Sequence, residues 1–286
     1  MEILFDKECE YMKSLDPLDE IIQAALNKIV EMFKVVSLEK IVITHSEHTK
    51  YHRSIEVYCE EIDNDITTSS GEYTGVGILI KGVDKKGIFK QNIFLKEMIY
   101  LYLKEYFLAI LEEREVQDLA SQAYQIVLHE IGHGIDEENR YNRYKDIPSK
   151  SSYNLRLELK EYVSYEMLQL WSEYFAQRLV YIVCEDAKPT NIEEIKLNMR
   201  YLDCTNLLEK NQILYRLLYY FVLAIGYYHE HDEEVVVLND EEIVLIAPIL
   251  RRVEVLFKQL YQAQFVWDYP IIKDKLCELY IELLQF

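Results

Sequence analysis

Glycine and proline are scarce in this chain, 8 and 5 of 286 residues. So few breakers argue against a fibrous repeat or a disordered tract and favour long helices. Cysteine is equally sparse. Cys9, Cys59, Cys184, Cys204 and Cys277 are odd in number, far apart and form no CxxC pair. They offer no disulfide framework and no cysteine-based metal site, and are expected to be buried free thiols in a reducing, cytoplasmic setting. Positive charge is also short, with 31 Lys and Arg against 50 Asp and Glu and a formal net charge of −19. That balance repels phosphate backbones and anionic lipid, and no basic run interrupts it, so neither nucleic acid nor a membrane is an expected partner.

No apolar run reaches the roughly 20 residues a spanning helix needs. The longest, ILYRLLYYFVLAIGYY at 213–228, contains Arg216 and reads as a buried helix. The N-terminus, MEILFDKECEYMKSLDPLDE, is acidic and shows no apolar stretch of signal-peptide length.

Half of the residues are hydrophobic, and 24 are tyrosines. Such a chain can bury a substantial core. Asp16-Pro17 followed by Ile21, Ile22, Ala25, Ile29, Met32 and Phe33 predicts a capped helix. Segments 40–46, 54–59, 76–83 and 88–95 look like strands, the last two joined by a VDKKG turn. Beyond Lys96 helical spacing prevails over 96–115, 117–134, 154–184, 191–230, 241–263 and 271–285, interrupted by a polar loop at 136–154. The expected fold is α+β and predominantly helical, with a small antiparallel sheet in the N-terminal half. Residues 1–150 would form an α+β part and 151–286 a helical part, unless the two make one continuous domain.

Within VLHEIGHGID (127–136), His129 and His133 stand four residues apart. On a helix that spacing places both imidazoles on one face, where they can share an ion, and neutral imidazole suits Zn²⁺. Glu130 lies about 100° around the helix from His129, close enough to serve a bound water without becoming a ligand. Between Ser121 and Ile135 no acid or base other than Glu130 occurs, and Ala123, Ile126, Val127, Leu128, Ile131 and Ile135 leave the flanks uncharged. A surface helix would carry charge there, so a buried helix is expected. The competing reading is a core helix whose histidines are simply hydrogen-bonded.

HEIGH in such a helix resembles the active-site helix of the zincin metallopeptidases, although Asp136 occupies a position those families usually keep hydrophobic. The metzincin continuation is absent, since Asp136 and Asn139 stand where its Gly and His would be. The gluzincin arrangement takes its third ligand from a glutamate on a later helix, and SEYFA (172–176) is similar to that segment. Its Glu173 is a lone acid in an apolar stretch, which requires a partner. Glu166, two turns earlier, is the competing acid, and an ion pair with Arg178 is the alternative fate of Glu173.

The resemblance implies one Zn²⁺ held by His129, His133 and Glu173, with Glu130 as general base in peptide-bond hydrolysis of a peptide or protein substrate. Asp136 and Gln177 are candidates to orient the ligands. His229, His231 or Tyr228 could support a developing oxyanion. His45, His48 and His52 sit between two expected strands and read as part of a hairpin connection. The hairpin at 76–95 is the candidate for pairing with a substrate backbone. A binding or scaffold protein with a structural or vestigial metal site is the alternative from a different class, and a hydrolase blocked by a C-terminal helix is a third.

Overall fold

A computed structural model describes residues 1–13, 17–59, 76–144, 159–184, 187, 192–202, 207–241, 243–264 and 269–285. The chain divides into two compact units, Met1–Asn142 and Arg143–Phe286. The expected boundary near residue 150 and the expected Asp16 cap lie outside the described residues. The architecture is α+β and mostly helical.

Among the described residues the first unit is built on four strands: β1 (Glu2–Phe5), β2 (Leu38–Thr44), β3 (Gly77–Val83) and β4 (Phe89–Lys96), in the order β1-β2-β4-β3. The sheet is mixed, not antiparallel as expected. β1 pairs parallel with β2, and β2 parallel with β4. Only the β3–β4 hairpin is antiparallel. The reason is the crossover. α1 (Leu18–Met32) connects β1 to β2, and a helical connection of this length returns the chain parallel to itself. The hairpin follows its turn chemistry: Gly87 adopts φ +79°, and Asp84 Oδ1 accepts hydrogen bonds from the N–H groups of Lys86 and Ile88.

Residues 54–59 are not a strand. They belong to α2 (His48–Cys59), and Tyr51, His52, Ser54 and Ile55 are buried. That i, i+1, i+3, i+4 pattern is helical, and burial of this face overrides the short apolar alternation. Tyr51 and Ile55 pack with Val42, Ile80 and Phe94 on one face of the sheet. α3 (Glu97–Leu111) and α4 (Asp118–Tyr144) follow β4.

α4 overturns a second expectation, because its helix runs through the charged stretch assigned to a loop. Asp136, Glu137, Glu138 and Arg140 are all buried. Glu138 accepts from the N–H of Val36 (2.9 Å), the N–H of Ser37 (2.8 Å) and the hydroxyl of Ser37 (2.6 Å). Arg140 bonds Asp136 at 2.9 Å and also Glu137, which Lys81 of β3 meets from the sheet. Gln91 of β4 donates to the carbonyl of Gly134 at 2.9 Å. The acids are thus fasteners between α4 and the sheet rather than solvated charges. Glu138→Ala leaves three donors without their acceptor and is expected to destabilise this unit by about 2–4 kcal/mol, read as a lowered denaturation midpoint. An unchanged midpoint would show that Glu138 does not fasten the helix.

The second unit is helical: α5 (Leu159–Val183), α6 (Ile192–Arg200), α7 (Leu207–Glu230), α8 (Ala247–Gln262) and α9 (Tyr269–Leu284). The stretch expected as one helix over 191–230 is two. α6 ends in a turn where the N–H groups of Tyr201 and Leu202 bond to carbonyls three residues back. α8 starts at Ala247 rather than 241, with Pro248 in its first turn, where the missing N–H costs nothing. Trp171, Leu218, Phe221, Leu250, Phe257 and Tyr280 lie at the centre of its core. Among the described residues no helix is long and apolar enough to cross a membrane.

Candidate metal centre

α4 sets the first two donors. Val127, Leu128 and Ile131 are fully buried and fix the helix by its apolar face, leaving His129, Glu130 and His133 half-buried on another. The Nε2 atoms of His129 and His133 are 3.1 Å apart, and their rings meet edge-on at 89°. Two nitrogens each about 2.0–2.1 Å from one tetrahedral ion would stand roughly 3.3 Å apart, so little movement separates this pair from a bidentate site. The same separation also lets one ring donate to the other. Asp136, Glu137, Glu138 and Gln91 hold the following two turns of α4, so the pair sits on a helix that is pinned rather than frayed.

The third donor comes from α5. One ligand atom each from His129, His133 and Glu173 lies within 4.8 Å of the others, a group that could hold a metal ion. Glu166, the competing acid, is not part of it. Two imidazoles and a carboxylate are the donor types that suit a borderline divalent ion such as zinc.

The neighbours of Glu173 on α5 are committed elsewhere in the second unit. Arg178, considered as its ion-pair partner, bonds Glu230 at 2.5 Å and lies 3.7 Å over the ring of Tyr261. The Tyr174 hydroxyl is 2.7 Å from His229 Nδ1, and burial keeps it un-ionised well above the ordinary tyrosine range. His229 Nε2 is 3.4 Å from Glu254. Both nitrogens of His229 therefore have partners inside the helical core, which gives it a structural position there. His231 is exposed, stacks 4.2 Å from Tyr227 and bonds that residue's carbonyl. Tyr228 is buried, and burial with the nearby Glu233 raises its hydroxyl pKa. Gln177 is half-buried on α5.

Asp136, the other candidate for orienting a ligand, is fully buried and paired with Arg140. Its neighbour Glu137 carries no local sequence signal of its burial. Burial opposes a charge on Glu137, and the Arg140 guanidinium and Lys81 ammonium overcome it, holding the carboxyl below the ordinary glutamate range. The histidines of 45–52 form no hairpin. His45 lies 3.9 Å from Glu97, and His48 and His52 are on α2. Among the described residues, His129, His133 and Glu173 are the one group of three or more such donors that could hold a metal ion.

Gly77 is a further residue that sequence patterns did not flag. It opens β3, which among the described residues is an edge of the sheet. A Cβ there would stand 3.1 Å from Leu95 Cδ2, 3.3 Å from Glu130 Cγ and 3.4 Å from Ile126 Cγ2. The strand and Glu130 are thus in close approach, and a side chain at this position would require its neighbours to shift by a few tenths of an ångström.

Compared with known proteins, the chain matches no protein-family model, no curated protein and no solved structure.

Proposed function

We propose that the protein is a zinc-dependent metallopeptidase, with His129, His133 and Glu173 holding the ion and Glu130 acting as general base and then general acid. One observation carries this reading: donor atoms from two helical histidines and a distant glutamate lie within 4.8 Å of one another, beside a glutamate that is not part of the group. Bound there, a divalent ion would supply Lewis-acid chemistry to a water and to the scissile carbonyl. Glu130 takes the proton from the attacking water and returns it to the leaving amine.

The edge strand β3 gives the substrate a place to lie. Its outer backbone groups can pair with an extended peptide, and Gly77 brings that edge against Glu130. A cytoplasmic setting agrees with Cys9, Cys184 and Cys277 being free thiols.

The deciding experiment is metal analysis of the purified protein together with cleavage of a peptide library, with and without chelator. Near-stoichiometric zinc and chelator-sensitive cleavage are expected. Stoichiometric metal with no cleavage of any peptide would favour the binding-protein alternative instead. Gly77→Val adds a branched side chain where even a single Cβ is crowded, so it should push Glu130 aside. We expect hydrolysis to fall at least about tenfold with zinc retained, at an overpacking cost of about 1–3 kcal/mol. Unchanged kcat/KM in that variant would separate β3 from the chemistry.

A further inference from the structure

Three of the 31 Lys and Arg residues stand together in the second unit. A surface groove of about 660 Å³ runs between α8 and α9. Its floor is apolar, formed by Val255, Leu256 and Leu279, and Val255 remains 46% exposed. Arg251, Arg252 and Lys275 line it with one acid, Glu278, while Glu254 and Glu282 pair with the two arginines, on a chain of net charge −19.

The placement of those cations is informative. Arg252 near the start of α8 bonds Glu282 near the end of α9, while Lys275, Glu278 and Leu279 line the groove beside later α8 residues. The two helices therefore run antiparallel. Arg251 and Arg252 stand at one end of the groove and Lys275 towards the other, with the apolar floor between them. From Pro248 to Gln259 the groove spans roughly 17 Å, about three helical turns.

We infer that this groove binds an amphipathic helix of a partner protein, carrying apolar anchors at its centre and acidic residues in both end turns. The charge pattern selects that occupant. A fatty-acid-like amphiphile brings one anionic end and would satisfy one end of the groove only. A helix presents apolar residues at i, i+3 or i+4 and i+7 along one face, and a groove about three turns long has room for them. The existing ion pairs, Arg252 with Glu282 and Arg251 with Glu254 at 3.6 Å, involve exposed arginines. Pairs of that kind are weak and can be exchanged for a partner's carboxylates. Elsewhere the acidic surface repels such a helix, so the groove also supplies specificity.

The test uses the full chain and a fluorescein-labelled synthetic peptide of about four helical turns, with leucines at the anchor spacing and glutamates in both end turns. Fluorescence anisotropy should show saturable binding that weakens with added salt. A peptide with lysines in place of the glutamates should bind at least about tenfold more weakly. Arg251→Glu combined with Lys275→Glu should cause a similar loss. These side chains are exposed, so the fold should survive, and Val255→Gln provides an independent variant on the floor. The inference is overturned by an absence of binding up to about 100 µM, by equal binding of the lysine peptide, or by laurate binding the groove as tightly as the peptide. Self-association of the chain that the same variants abolish would also overturn it, assigning the groove to a second copy.

Discussion

Glu130→Gln should retain zinc and lose hydrolysis by about 10²–10⁴-fold, the range a positioned general base contributes. The amide keeps the size of the side chain and so preserves its packing against Gly77, where room is already tight. What it removes is the ability to accept and return a proton. Because Glu130 is not in the donor group, metal content should match that of the parent chain. Zinc analysis and steady-state cleavage of the same peptide measure the two quantities independently. Full activity in this variant would eliminate Glu130 as the base, even if the metal were present.

His129→Ala with His133→Ala is the complementary case. It removes two of three donors and leaves a single carboxylate. Even the loss of an outer-shell partner costs 10–100-fold in metal affinity, so this double loss should exceed about 100-fold and reduce bound zinc to background. Hydrolysis should disappear with it. The helix itself should persist, because α4 is held by buried Val127, Leu128 and Ile131 and by the Glu138 and Arg140 contacts, none of which involves the imidazoles. Circular dichroism should therefore remain that of the parent chain while metal content falls. Glu173→Gln should give a smaller loss, since two imidazoles remain one turn apart. A double variant that still carries stoichiometric zinc would move the metal site elsewhere.

The histidine pair was readable because its geometry is local. Two residues four apart on a helix share a face whatever the rest of the chain does. Glu173 stands out for a different reason: a lone acid in an apolar helix must find a partner. The hairpin was legible from its turn, where Asp84 and Gly87 carry the required chemistry. The same local reasoning failed at α2. Its alternating residues resemble a strand over six positions, and only the face buried against the sheet reveals the helix.

Charge misled in a systematic way. The run that begins at Asp136 looks like a solvated loop, because acids in sequence are ordinarily acids in water. Here their partners lie far away in the chain: Glu138 bonds Val36 and Ser37, and Glu137 meets Lys81. The groove between α8 and α9 repeats the lesson, since Arg251, Arg252 and Lys275 look unremarkable until two antiparallel helices align them.

By itself, then, the sequence determined the predominance of helix, the hairpin and the one-turn spacing of the two imidazoles, all of which depend on neighbours within a few residues. Only the tertiary structure decided that the sheet is mixed, that the acids of α4 point inward, and that Gly77 borders Glu130. Each of these is a contact between residues remote in the chain, and such contacts are set by which buried surfaces and charges satisfy one another after folding, not by local propensity.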